Sequence, residues 1–118
     1  MEHDADILIA GGGLNGPALA LALAQGGLTV AVIDARPAPA RAEAGFDGRA
    51  YALAIASRRL LQAVGVWDRV AGHSQPMLKI RTSDGHAGQG ASPFHLSFDS
   101  GEIEEGPIGY MLEDRFLY

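Results

Sequence analysis

The sequence predicts an α/β fold, a βαβ unit at the N-terminus with a small antiparallel β meander appended. Three observations predict it. Ile7-Leu8-Ile9-Ala10 is a short apolar run that meets three consecutive glycines. An Ala/Leu-rich run then continues to Ala24, closes at Gln25-Gly26-Gly27, and gives way to a second apolar run from Thr29 to Ile33 that stops at Asp34. From Met77 onward the pattern changes to short runs that alternate apolar and polar residues between turn residues, the period of half-buried strands.

The joints of the first unit carry chemistry. Gly11, Gly13 and Gly16 stand in G-x-G-x-x-G spacing between the strand and the helix. In that context the glycines allow a sharp turn, close approach of a pyrophosphate to the backbone, and close packing of helix on strand. The helix N-terminus then points free N–H groups and a positive partial charge at the phosphates. Pro17 falls in the first helical turn, where its missing N–H costs little. Asp34 lies 18 residues past Gly16, close to the roughly 20-residue spacing at which an acid accepts hydrogen bonds from an adenosine ribose. The unit is therefore read as Rossmann-like and dinucleotide-binding. Its candidate contacts are Gly11, Gly13, Leu14, Asn15 and Gly16 at the turn, with Asp34, Ala35 and Arg36 at the end of the second strand. The alternative is a glycine-rich turn in an ordinary βαβ unit, with Asp34 solvated.

The remaining elements follow in order. The βαβ unit spans 5–35. Leu14 to Ala24 is apolar nearly all round, which predicts a helix buried on several sides, and Gly26-Gly27 supplies its stop. Val30, Val32 and Ile33 suit a buried parallel strand. Residues 36–48, with Pro37 and Pro39, read as a loop, in which Arg36 and Arg41 reach either phosphate or solvent. Residues 50–72 read as helical, although Arg49 to Ala54 fits an extended segment equally well. Ser57 is the candidate N-cap, Gly65 the C-terminal stop and Trp67 a core residue. Residues 76–112 read as β-rich: strands at Met77–Thr82, Pro93–Phe98 and Ile108–Leu112 form the meander, with turns at Ser83-Asp84-Gly85 and Asp99-Ser100-Gly101. Glu102, Glu104 and Glu105 read as a solvated cluster. Glu113-Asp114-Arg115 starts a helix over 113–118, with acids in its first turn.

Composition narrows the function. The chain has 118 residues, 47% of them apolar, enough for one domain with a modest core. Its net charge of −5 offers no basic footprint for nucleic acid. With no cysteine there is no disulfide, thiolate metal site or cysteine nucleophile. His3, His73, His86 and His95 lie in different segments without metal-ligand spacing, and no catalytic acid–base set or nucleophile arrangement stands out. Met1 to Asp4 is acidic and polar, without the basic and apolar regions of a signal peptide, which fits a cytoplasmic protein.

Four segments together resemble the flavin-dependent aromatic hydroxylases of the para-hydroxybenzoate hydroxylase type, and among them the ubiquinone-biosynthesis hydroxylases. Gly11, Gly13, Gly16, Ala20, Leu23, Ala24 and Gly27 fill the extended fingerprint G-x-G-x-x-G-x-x-x-A-x-x-L-A-x-x-G. Asp47-Gly48-Arg49-Ala50-Tyr51-Ala52-Leu53, with Ser57, Leu60, Gly65, Val66 and Trp67, is similar to the family's D-x-R-x-x-x-L, S-x-x-x-L and G-V-W-D pattern. Asp84-Gly85-His86-Ala87-Gly88 resembles its S-D-x-G-H-A-G segment, and Glu113-Asp114-Arg115 its E-N-R helix start, where Asp114 replaces the usual asparagine. The resemblance spans nearly the whole chain but only the opening part of the family's length, without its later D-G and G-D motifs.

The resemblance implies an FAD-dependent monooxygenase that hydroxylates a phenolic or prenylated aromatic ring with O₂ and NAD(P)H. It adds Arg49 and Arg115 as cofactor contacts, at the flavin's phosphates or ring edge. A prenylated substrate implies peripheral contact with the inner membrane. The chain reads as 1–118 of the N-terminal part of an FAD-binding domain, incomplete relative to the family and without turnover alone. Two alternatives stand beside this. An NAD(P)-binding dehydrogenase or reductase unit would use Asp34 for a 2′-hydroxyl. A non-catalytic folded fragment would bind nothing and dimerise through exposed apolar strands.

Overall fold

The computed structural model describes residues 3–37, 45–46 and 48–118. Met1, Glu2 and most of the predicted loop, including Pro39, Arg41 and Asp47, lie outside them. The fold is mixed α/β. Strand β1 (Ile7–Ala10) pairs in parallel with β2 (Val30–Ile33), from Ile7 opposite Val30 to Ala10 opposite Ile33, and helix α1 (Asn15–Gln25) connects them. Below the paired strands Asp6 clamps Thr29. Its Oδ2 accepts from the Thr29 N–H at 2.8 Å and the Thr29 hydroxyl at 2.6 Å. Its own N–H donates to the Thr29 hydroxyl oxygen at 2.9 Å.

The Thr29 hydroxyl and then the Thr29 N–H hold the Asp6 carboxyl below its ordinary value. A lowered folded pKa stabilises the fold above the unfolded value of about 3.9, and this is lost as pH falls through the folded value. Asp6→Asn should therefore melt earlier than the parent at pH 7, with the gap closing in acid. Thermal melts of both proteins from neutral pH to below 3 check this, and a gap that stays constant with pH would contradict it.

Helix α1 ends as its sequence predicts. Gly27 takes a positive φ of 90°, its N–H reaches the Ala24 carbonyl at 3.0 Å, and the Leu28 N–H reaches Leu23 at 3.2 Å, which satisfies two terminal carbonyls. Its burial differs from expectation. No residue of α1 is fully buried, and Leu19 and Leu21 are 51% and 41% exposed. Among the described residues a two-stranded sheet lies against this helix, too little surface to enclose an apolar cylinder.

The second half is built around β7 (Gly109–Glu113). Residues 50–54 are a strand, β3 (Ala50–Ala54), where the helical reading of 50–72 placed helix. The extended alternative holds because β3 pairs antiparallel with β7, from Ala50 opposite Glu113 to Ala54 opposite Gly109. Helix α2 (Ile55–Ala63) leaves β3 directly, so Ala54 takes the N-cap position and Ser57 lies inside the first turn. Gly65 closes α2 as predicted: its φ is 80°, and the Val66 N–H returns to the Leu61 carbonyl at 2.8 Å. Helix α3 (Trp67–Val70) and a 3₁₀ turn (Ala71–His73) lead to β4 (Gln75–Met77), which pairs with the other side of β7. Pro76 is tolerated because β4 is the edge of the β3-β7-β4 sheet.

The predicted meander divides. Strands β5 (Lys79–His86) and β6 (Gly90–Asp99) form a hairpin, but the third strand, β7, joins β3 and β4 instead. The predicted turn at Ser83-Asp84-Gly85 lies within β5, where the register shifts between Ser83 and Gly85. The predicted helix at 113–118 is a 3₁₀ turn, Asp114–Phe116. The core is small: Trp67, Val70 and Leu112 are buried, with Leu53, Leu61, Tyr110 and Phe116 packed on them. Trp67 meets the Tyr110 ring edge-on, with centroids 4.9 Å apart. Among the described residues no helix is long and apolar enough to cross a membrane.

Candidate functional site

The site begins where β1 ends. The Gly11 N–H donates to the Ile33 carbonyl at 2.7 Å, carrying the strand pairing one step beyond Ala10. Gly11 then turns the chain with φ at +112°, a conformation side chains rarely adopt. Leu14 occupies the N-cap position of α1 and offers no side-chain cap. The N–H groups of Asn15 and Gly16 therefore have no intrahelical carbonyl to bond, and Pro17 has none to offer. They face the turn with the positive end of the helix behind them.

Space is tight where the motif requires glycine. A Cβ on Gly16 would run into the Gly11 carbonyl oxygen, a backbone atom that cannot swing aside. A Cβ on Gly12 would lie 2.5 Å from Asp34 Oδ2. That approach reflects a bond: the Gly12 N–H donates to Asp34 Oδ2 at 2.6 Å, and the Arg36 N–H donates to Oδ1 at 2.7 Å. Asp34 thus ties the turn after β1 to the end of β2. Both carboxylate oxygens are hydrogen-bond acceptors, the chemistry that a sugar hydroxyl pairs with.

An open cleft of about 1470 Å³ begins at this turn. It exceeds the roughly 300–1,000 Å³ of ordinary small-molecule pockets, so it is roomy enough for an extended dinucleotide. Gly11, Gly13, Leu14, Asn15, Gly16, Asp34 and Arg36 all line one side. Ala35 is exposed and outside the lining. Arg49 and Arg115 are also outside it. Arg49 pairs with Asp114 at 3.3 Å. Arg115 Nε lies 2.7 Å from Glu113 Oε2, with its guanidinium 4.7 Å over the Phe116 ring. Both sit at the end of the β3–β7 pair, beside cleft-lining residues Tyr51 and Leu117.

The sequence reading missed Gly12 and further lining residues, among them Tyr51, Leu53, Leu60, Leu61 and Leu117. Gly12 was signalled only by standing in a triple-glycine run. Tyr51 and Leu53 share a face because they alternate along β3, a period that counts only once the segment is known to be a strand. Among the described residues no group of His, Asp or Glu side chains could hold a metal ion.

The FAD binding domain family model matches residues 4–100. The chain is 49% identical over 113 residues to the ubiquinone hydroxylase UbiL of Rhodospirillum rubrum, covering 96% of this chain and 25% of that protein. It is 40% identical over 114 residues to the 3-demethoxyubiquinol 3-hydroxylase of Escherichia coli, covering 95% of this chain and 28% of that one. A kynurenine 3-monooxygenase of Salinispora arenicola is 36% identical over 90 residues, covering 75% of this chain and 20% of the relative. The chain spans about a quarter of the length of these relatives. The family decides between the two nucleotide readings in favour of FAD. The chain belongs to the FAD binding domain family.

Proposed function

We propose that the chain is the FAD-holding N-terminal part of a flavin-dependent monooxygenase that hydroxylates a phenolic ring, as the names of its ubiquinone hydroxylase relatives suggest. The observation that carries the reading is the coupling of Gly12 to Asp34 at the mouth of a cleft walled by the glycine turn. In this reading the βαβ unit is Rossmann-like, and 1–118 is an incomplete FAD-binding domain without turnover of its own. The amides of Asn15 and Gly16, with Gly11 and Gly13, take the pyrophosphate. Asp34 takes the adenosine ribose, with Ala35 and Arg36 beside it. Arg49 and Arg115 lend positive charge near the flavin end. Tyr51, Leu53 and Leu117 present carbon surface that keeps water from the cofactor.

When bound, FAD supplies the redox chemistry, taking electrons from NAD(P)H and passing one oxygen atom of O₂ to the ring. The chain's residues bind, orient and desolvate. A small aromatic substrate, prenylated in the ubiquinone branch, fits this role, with peripheral membrane contact following from the prenyl tail. Exposed apolar strand residues such as Leu8, Phe94 and Leu96 favour self-association of the isolated piece. The test is oxygen uptake and product analysis by the full-length gene product with FAD, NADH or NADPH and an electron-rich phenol. Ring hydroxylation coupled to NAD(P)H oxidation is expected. Substrate oxidation that proceeds without FAD or O₂ would overturn the proposal.

A further inference from the structure

Beside the cleft wall lies a buried charge. Asp114 is 7% exposed, the one charged residue so buried among the described residues. The β3–β7 register leads to it: Ala50 stands opposite Glu113, and one step on the Asp114 N–H donates to the Arg49 carbonyl at 3.0 Å. Its Oδ2 lies 3.3 Å from the guanidinium of Arg49, whose side chain is 59% exposed. Tyr51, which lines the cleft two residues on, stands opposite Leu112, two residues before Asp114. Asp114 also opens the 3₁₀ turn that delivers Leu117 and Tyr118 to the cleft.

A buried carboxylate is costly unless it is paired and hydrogen-bonded. Asp114 Oδ1 has no hydrogen-bond partner among the described residues, so its compensation falls on the pair it makes with Arg49. Groups that neutralise a buried charge lose their freedom, because moving either one exposes that cost. We infer that Asp114 is a positioning residue for the cofactor cleft, its buried carboxylate fixing the Arg49 guanidinium beside the cleft-lining Tyr51. The effect on FAD rests on the proposed function, while the fixing of Arg49 does not.

The nearby Asp114 carboxylate raises the Tyr51 phenol above its ordinary value; burial and the charge of Tyr118 add to the rise, and Arg49 opposes it. Glu113 and Arg115, on either side of Asp114, are paired with each other. A spectroscopic tyrosinate titration reads this directly. The chain has three tyrosines, and Tyr51→Phe identifies the component that belongs to Tyr51. In the parent that component should titrate above about 10. In Asp114→Asn it should fall back toward 10, and in Asp114→Glu, which keeps the charge, most of the rise should return. An unchanged Tyr51 titration in folded Asp114→Asn overturns the inference.

FAD titrations of Arg49→Gln, Asp114→Asn and the double variant supply the second readout. Each single change should weaken binding roughly 3–10-fold, and the double should be no weaker than the worse single, since coupled neighbours are not additive. Losses that multiply overturn the coupling. A parent chain that binds no FAD sinks the proposed function, and the tyrosinate titration then still judges the placement of Asp114.

Discussion

Trp67→Ala is expected to destabilise the chain by about 3–5 kcal/mol, the usual cost of deleting a buried large aromatic. The effect should be among the largest any single change produces here, because the core is so small. Trp67 is 6% exposed, and the buried residues clustered with it are Val70 and Leu112. It also carries two contacts beyond area burial, the edge-on Tyr110 ring and the Arg58 guanidinium 5.4 Å from its centroid. Domains of this kind are stable by only about 5–15 kcal/mol, so the variant should lose most of its cooperative unfolding. Denaturant unfolding followed by circular dichroism checks it. A midpoint within the range of ordinary surface substitutions would show that Trp67 does not organise the second half.

Gly16→Val is expected to abolish cofactor binding while leaving that core folded. The new Cβ would land on the Gly11 carbonyl oxygen, with Ile9 Cγ2 a further 3.4 Å contact. Neither the strand end nor the first turn of α1 has slack, because the Gly11 N–H is held by Ile33. The helix start must move instead, which takes the Asn15 and Gly16 amides out of position. A shift on the order of 1 Å in a positioned site costs roughly 100-fold, or about 2.7 kcal/mol. Overpacking adds about 1–3 kcal/mol of instability. Because Gly16 is far in sequence from Trp67 and outside its cluster, the near-ultraviolet signal of Trp67 should persist. Unaltered FAD affinity would mean that the turn is not the phosphate site.

The first unit was legible because every joint in it has a local chemical cause. The glycine turn, Pro17 in the first helical turn, the Gly27 stop and the terminal Asp34 each solve a problem set by adjacent residues. Pairing across long sequence distance was not legible. Nothing in Gly109–Glu113 says that it lies between β3 and β4 instead of beside β6, since its apolar residues suit either neighbour. Ala50–Ala54 carries no clear period, so its strand identity comes from β7. Ser57 has the chemistry of a cap, but the chain enters α2 three residues earlier. The exposure of Leu19 and Leu21 likewise depends on what covers α1, which no property of α1 itself reveals. In the site, the turn and Asp34 were visible and the wall of Tyr51, Leu53 and Leu117 was not, for the same reason.

The central claim is that the turn from Gly11 to Gly16, closed by Asp34, holds FAD. The direct measurement is a fluorescence titration of the purified chain with FAD and, separately, with NADH, repeated on Gly16→Val. Saturable FAD binding in the parent, lost in a variant that still melts cooperatively, is the predicted result. NADH binding without FAD binding would contradict it.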